Sequence, residues 1–473
     1  MKHEWRNLSA DRAPLAISLL LGAVIAYGAF NGSRWVKFQR QTIASALTEE
    51  RGRYAEIREE MVQVEAGEKK VSAFADPRLP QSFGRSMGLR YAYLPPAALG
   101  SLAIGQSDLY PYYFKVSTGS KQSFLNSDEI ENPAHLLAGR FDLAFVILFL
   151  YPLVILAFSY NIVSGEKEAG TLALTLSQPV SLRTLVLAKV ALRSLFVVAL
   201  AVLLSIAGVL VGGADLSAEG SGLRLLFWIG ITAAYGAFWF ALAIAVNAAG
   251  RGSATNAIAL AGLWLLFLVV IPSALNATVK SSYPVPSRVE MIQAMRVAGE
   301  DSTRQSSQLL ARYLEDHPEL APKSKDAPPD FGTLLIAVNE ATERSVQPVI
   351  DRFDSQVAAQ QQMVDRFRYL SPAIVAQAAF YDLAGSSAHR YAHFLSQAST
   401  FHAQWRGFLT PRILKKEKLT PGDLDKLPTY AFREEETGAV SARLLAALIG
   451  LLAPVALVLL PALRWMSRYP VVG

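Results

Sequence analysis

Six stretches of this chain run for 20 or more residues without a single Asp, Glu, Lys or Arg: Ala13–Ser33, Leu143–Gly165, Ser194–Ala214, Leu225–Gly250, Gly252–Val279 and Leu444–Leu463. About 20 apolar residues in a helix cross the hydrocarbon core of a bilayer. In hydrocarbon every backbone N–H and C=O must be satisfied within the protein, and a helix does this within one segment. The expected fold is therefore mainly α: a polytopic membrane protein with six transmembrane helices and a mostly helical extracytoplasmic domain built from two insertions. Composition agrees, since 52% of the 473 residues are hydrophobic and only 18% are charged, against about a quarter charged in soluble domains.

The first window follows a basic start (Lys2, Arg6, Arg12), as a signal peptide would. It is long for a signal core and no clear small-x-small cleavage site precedes a mature start, so an uncleaved first span is expected. Positive charge then orients the rest. Lys167, Arg183, Lys189 and Arg193 lie between the second and third windows, Arg251 between the fourth and fifth, and Arg464 and Arg468 after the sixth. The third–fourth connection carries Asp215 and Glu219 and no base before Arg224. These loops place both termini on the cytoplasmic side. They outvote Arg34, Lys37 and Arg40, which follow the first window. The expected organisation is 1–33, N-terminus and first span; 34–140, first extracytoplasmic region; 141–279, spans two to five with a cytoplasmic loop at 161–189; 280–441, second extracytoplasmic region; 442–473, sixth span and C-terminus.

In the first region Ile43, Leu47, Tyr54, Ile57, Met61 and Val64 recur at helical spacing, which predicts a helical stalk continuing from span one. Asp76–Asn126 reads as loops with short strands or turns. In the second region a helix is expected over Ser287–Leu314, then a Pro-rich break at His317–Gly332. A helix striped by Val346, Ile350, Phe353, Val357, Val364 and Phe367 follows, beginning no earlier than about Gln347 because Pro348 belongs in a first turn. Pro372 ends it, and a third helix runs from about Ala388 to Leu409. The two striped helices are expected to pack on each other.

Much chemistry is excluded. With no cysteine there are no disulfides, thiolate metal sites or Cys nucleophiles. No phosphate-cradling P-loop, HExxH or GxSxG motif occurs, so no catalytic residue is assigned and no nucleotide site is expected in this chain. His389 and His393 share a helical face, yet no carboxylate stands at ligand spacing, so no metal is assigned. The net charge of +6 is spread through loops rather than clustered as nucleic-acid binding requires. No ionisable residue lies inside a window, which argues against a proton or sodium relay. Asp142, Arg193 and Arg443 sit at window edges, where they are expected to snorkel.

The segment "SGEKEAGTLALTLSQPVSLRTLVLAK" (Ser164–Lys189) is the informative loop. Glu166–Leu176 reads as a short helix across the cytoplasmic face, with Glu166 and Glu168 at its positive end. Gly170 allows close approach of another surface, Pro179 stops the helix, Ser181 caps the next, and Lys189 anchors span three at the interface. By these residues alone the loop is equally a plain interfacial helix.

The pattern Glu166, Gly170-Thr171-Leu172, Ser177-x-Pro179, then Lys189 resembles the loop after the second span of ABC-2 type transporter permeases. The six-span order resembles that family too. "GQSDLYP" (Gly105–Pro111), "ENPAHLLAGRFDLAFV" (Glu131–Val146), "RYLSPA" and "FHAQW" (Phe401–Trp405) resemble the branch with a large periplasmic domain of unknown function between spans five and six. The resemblance implies a permease subunit, exporting or mechanotransmitting. Its coupling helix would dock on a separate ABC ATPase that binds the ATP and Mg. Glu166, Lys167, Glu168, Gly170, Thr171, Leu172, Ser177, Gln178, Pro179 and Lys189 are the coupling residues so implied. A second permease chain, the same or related, the lipid bilayer and a periplasmic partner complete the expected partners, with no nucleic acid. The alternative is a non-transporting membrane scaffold or sensor whose extracytoplasmic domain binds a partner.

Overall fold

The structure is a computed structural model that describes residues 12–72, 74–121, 141–285, 288–321, 330–466 and Tyr469. Glu131–Arg140, Pro322–Pro329, Lys2, Arg6 and Arg468 lie outside the described residues, as does the end of the irregular stretch from 122 to 126. The protein is mainly α, with six helices among the described residues long and apolar enough to cross a membrane.

Helix Arg12–Glu65 carries the first window and runs on without a break for 54 residues. At 1.5 Å per residue it is roughly 80 Å long, far beyond one bilayer crossing. Its distal part is the expected stalk. Span two is composite: a π-helical turn at Val146–Leu150 leads into helix Tyr151–Ser159. Span five repeats the device, with a π turn at Leu266–Val270 before Ile271–Ser282. Each π turn ends two residues before a proline, Pro152 or Pro272, whose missing N–H frees a carbonyl one turn upstream. Cross-span bonds satisfy the carbonyls around these turns: Tyr235 Oη donates to the Leu148 carbonyl at 2.9 Å, Trp264 Nε1 to Phe149 at 3.1 Å and Ser371 Oγ to Phe267 at 2.6 Å.

Span four, Ser221–Ala248, is the bundle's centre, with span six (Thr437–Met466) lying along it and span three (Leu182–Val211) packed on span one. Trp228, Tyr235, Trp239 and Tyr151 are fully buried there. Gly236 makes room for Tyr151, whose hydroxyl would overlap a Cβ at that position.

Helix Pro372–Ala384 belongs to the second polar region yet lies against the spans. It packs against spans four and six. Phe380 rests on Trp228 with ring centroids 4.4 Å apart, Tyr369 crowds Gly450 in the middle of span six, and Ser371 reaches the π turn of span five. The segment thus dips among the spans and returns. Nine of its thirteen residues are buried, a pattern no amphipathic period reveals.

The two polar regions form one domain. Its core joins Ile57, Met61, Phe83, Phe114 and Val116 of the first to Phe394, Phe401, Trp405, Leu409 and Leu424 of the second. The irregular stretch supplies an antiparallel pair, β1 (Arg90–Tyr93) and β2 (Tyr113–Val116), in the register Tyr91↔Lys115. The expected pairing of the two striped helices does not form. Strand β1 and the turn Pro421–Lys426 lie against the stalk, helix Ala388–Leu414 shares its apolar core, and Arg288–Arg304 and Ser306–Asp316 pack on the helix that carries the other stripe. These two helices replace the single one expected over Ser287–Leu314.

That striped helix starts at Phe331, not Gln347, and continues through Pro348 to Phe367. Asp330 caps it by accepting from Thr333 N at 2.9 Å, and Ile336, Ala337 and Val346 are buried upstream. Pro348 lies on the exposed side, where water can satisfy the carbonyl it frees.

Candidate functional site

The loop between spans two and three is two helices, Ser164–Glu168 and Thr171–Leu176, not one. Gly170 separates them with φ +71°, a left-handed conformation that glycine adopts without strain. A Cβ at Gly170 would meet nothing within 4 Å, so the surface around it is open. Span three begins as expected, with Ser181 Oγ accepting from Thr184 N at 3.1 Å.

Of the residues that the family resemblance singles out, Glu166, Leu172 and Lys189 face inward. Glu166 pairs with Lys189, and Lys189 also reaches the Ile162 carbonyl at 3.5 Å. Lys189 is 8% exposed, so it is a buried partner of the loop rather than the interfacial anchor expected. Span three starts at Leu182, which brings Lys189 two turns inside the helix. Leu172, 1% exposed, pins the second loop helix to the bundle. Glu168 accepts from Ser253 N at 2.6 Å and so caps the start of span five. Lys167 lies 5.8 Å from the centroid of the Tyr469 ring. The other side of the loop is open: Gly170, Thr171, Ser177, Gln178 and Pro179 are exposed, as are Leu174 at 72% and Val180 at 41%.

The chain enters this loop through an opened turn at Tyr160–Val163. In a regular helix Val163 N would donate to the Ser159 carbonyl. Here the side chain of Asn247, from span four, stands between them. Its Nδ2 donates to Ser159 O at 3.0 Å and its Oδ1 accepts from Val163 N at 3.3 Å. Three neighbouring carbonyls are held in the same way: Phe158 by Arg193 at 2.6 Å, Tyr160 by Asn256 at 3.3 Å and Ile162 by Lys189. Asn256 also donates to Ser164 Oγ at 3.2 Å, and Ser164 meets Ser253 at 2.9 Å. The opened turn is thus gripped by spans three, four and five at once. Asn247 and Asn256 are 1% and 0% exposed. Sequence analysis gave neither asparagine a part. An unexplained Asn near the loop end of each of two adjacent windows was the available signal.

The window-edge charges do not snorkel. Asp142 accepts from Phe145, Ile104 and Gly105 backbone N–H groups at 2.7, 2.8 and 3.2 Å. Arg443 pairs with Asp382 of the dipping helix at 3.1 Å and with Glu435 at 3.0 Å. In the domain, His393 Nε2 meets the Arg433 carbonyl at 3.0 Å. His402, 5% exposed, meets the Gly119 carbonyl at 2.9 Å, and its burial pushes its pKa down. Among the described residues no group of three or more His, Cys, Asp or Glu is gathered in metal-binding proximity.

Two comparisons bear on these features. Residues 288–433 match a family described as a domain of unknown function, DUF3526; this range includes helices Arg288–Arg304, Phe331–Phe367, Pro372–Ala384 and Ala388–Leu414. Over 146 residues the chain is 35% identical to the probable ABC transporter permease protein NosY of Stutzerimonas stutzeri, a match covering 29% of this chain. The chain spans about half, 50%, of the length of that curated relative.

Proposed function

We propose that this chain is the permease subunit of an ATP-driven ABC transporter, of the exporting or mechanotransmitting kind, in the bacterial inner membrane with both termini cytoplasmic. A separate ATPase subunit binds ATP and Mg, and this chain converts closure of that subunit into movement of its spans. The observation that carries the reading is the loop: its inner face is bolted to spans three and five and the C-terminal segment, while Leu174, Val180, Gln178 and Pro179 present an open, partly apolar surface. Such a body passes on a push rather than absorbing it. Likeness to a permease supports the same reading.

Work is transmitted only through contacts that differ between two states. Closure of an ATPase against the open face would rotate the loop about the turn at Tyr160–Val163, and Asn247 would carry that rotation into span four. Glu168 on Ser253 carries it into span five. Span five is the least covered of the six, and leaves Ser273 and Asn276 exposed. A second permease chain seated there would cover those polar groups.

The test is affinity purification of the tagged chain from membranes of its native host, with mass-spectrometric identification of stoichiometric partners. A P-loop ATPase at one copy per permease chain is expected. Recovery of an extracytoplasmic partner alone, with no ATPase, would favour the scaffold or sensor.

A further inference from the structure

A groove opens between spans one and three on the half nearer the outer domain, with a volume of about 290 Å3. Its floor is made of small residues: Gly22, Ala26, Ala29, Ala207 and Gly208. The helices touch so closely there that a Cβ on Gly208 would lie 2.5 Å from that of Ala29. The rim is apolar and outward-facing, with Phe30 56% and Val211 89% exposed. Gly22 to Ser33 spans roughly 16 Å along the helix, about half the hydrocarbon core and so one leaflet. An apolar groove at this depth excludes water; it takes a hydrocarbon chain or another protein.

Charge at the mouth selects between them. Arg34 and Lys37 are exposed and continue the stripe of Ala26 and Phe30. The Arg34 guanidinium lies 5.6 Å from the Phe30 ring centroid, which holds it over the groove's end. Among the described residues neither basic side chain has an ion pair. Asp215, on the span three–four connection, is held by Ser217, its Oδ1 accepting from Ser217 N at 3.0 Å and Ser217 Oγ at 2.5 Å. We propose that the groove binds one acyl chain of an anionic phospholipid, with its phosphate at Arg34 and Lys37. This rests on the membrane span assignment and not on the transporter reading.

The experiment uses the full chain in micelles with equal phosphatidylglycerol and phosphatidylcholine, delipidated stepwise and weighed by native mass spectrometry. The wild type should retain one phosphatidylglycerol per chain, with a preference over phosphatidylcholine of about thirtyfold, as two basic residues at a membrane surface provide. R34Q/K37Q should bring that preference to about one. Ala207→Leu, at an exposed position where folding is not at stake, should fill the groove and abolish retention. Equal retention of both lipids by the wild type, or unchanged retention in Ala207→Leu, overturns the proposal. So does efficient Ala26→Cys disulfide dimerisation, which would make the groove an interface between two copies.

Discussion

Replacing Asn247 by leucine removes the clamp on the opened turn while keeping side-chain volume. The wild-type amide donates to Ser159 O at 3.0 Å and Ala243 O at 2.9 Å and accepts from Val163 N at 3.3 Å. Ala243 lies one turn before Asn247 in its own helix, so its carbonyl keeps a backbone partner. Ser159 O and Val163 N lose theirs. An orphaned buried group costs about 1–3 kcal/mol, and membrane hydrogen bonds average about 0.6 with a maximum near 1.7 kcal/mol. Two such losses place the destabilisation at about 2–3 kcal/mol. The turn can recover part of this only by closing into a regular helix, which re-aims the loop. Equilibrium unfolding in mixed detergent micelles measures the first effect, and nucleotide hydrolysis by the assembled complex with and without transport measures the second. Asn247→Leu should be less stable and uncoupled. Wild-type stability together with wild-type coupling would refute the clamp.

Glu166→Ala should cost about 3 kcal/mol, the lower edge for breaking a buried ion pair, because it strands Lys189; Glu166→Ala/Lys189→Met should recover much of that in the same unfolding assay. Trp405→Ala removes a side chain that is 0% exposed and stacked on Phe83 at 6.2 Å between ring centroids, and should destabilise the domain formed by the two polar regions by about 3–5 kcal/mol, read by protease resistance of the stalk. His402 is held below its usual pKa by burial, among Arg406, Glu343 and Lys121. The unfolded chain therefore binds the proton more readily, and stability falls as pH drops through about 6.5, the ordinary histidine value. His402→Gln should flatten that dependence in thermal unfolding measured between pH 7.5 and 5.5; an unchanged slope would remove His402 as its source. Gly170→Leu places a branched side chain at φ +71° and should cost about 1–2 kcal/mol in unfolding, with ATPase binding weakened.

The parts legible in the sequence are those governed by local rules. Charge-free length marked all six spans, helical spacing carried the stalk beyond span one, and a serine before an apolar run marked the cap at Ser181. What escaped depends on partners far along the chain. Pro372–Ala384 is buried on most sides by spans four, five and six, so it shows no stripe. Pro348 would stop an isolated helix; here an N-terminal cap and buried Ile336 and Val346 hold the turns before it. Lys189 reads as a loop cation until span three is seen to begin seven residues earlier, at Leu182, which turns it toward Glu166. For the site, the motif located the loop, but not which residues face in and which face out. Leu174 went unremarked because a lone leucine has meaning only once Leu172 is seen to be the one that is buried.

The most direct test is co-elution of the ATPase subunit with wild type and with Leu174→Glu. Leu174 is 72% exposed, so the substitution leaves folding untouched and places a charge in the middle of the proposed docking face. The account predicts that the wild type elutes with one ATPase chain per permease chain. Leu174→Glu should elute alone at unchanged thermal stability. An ATPase that co-elutes equally with both proteins would contradict it.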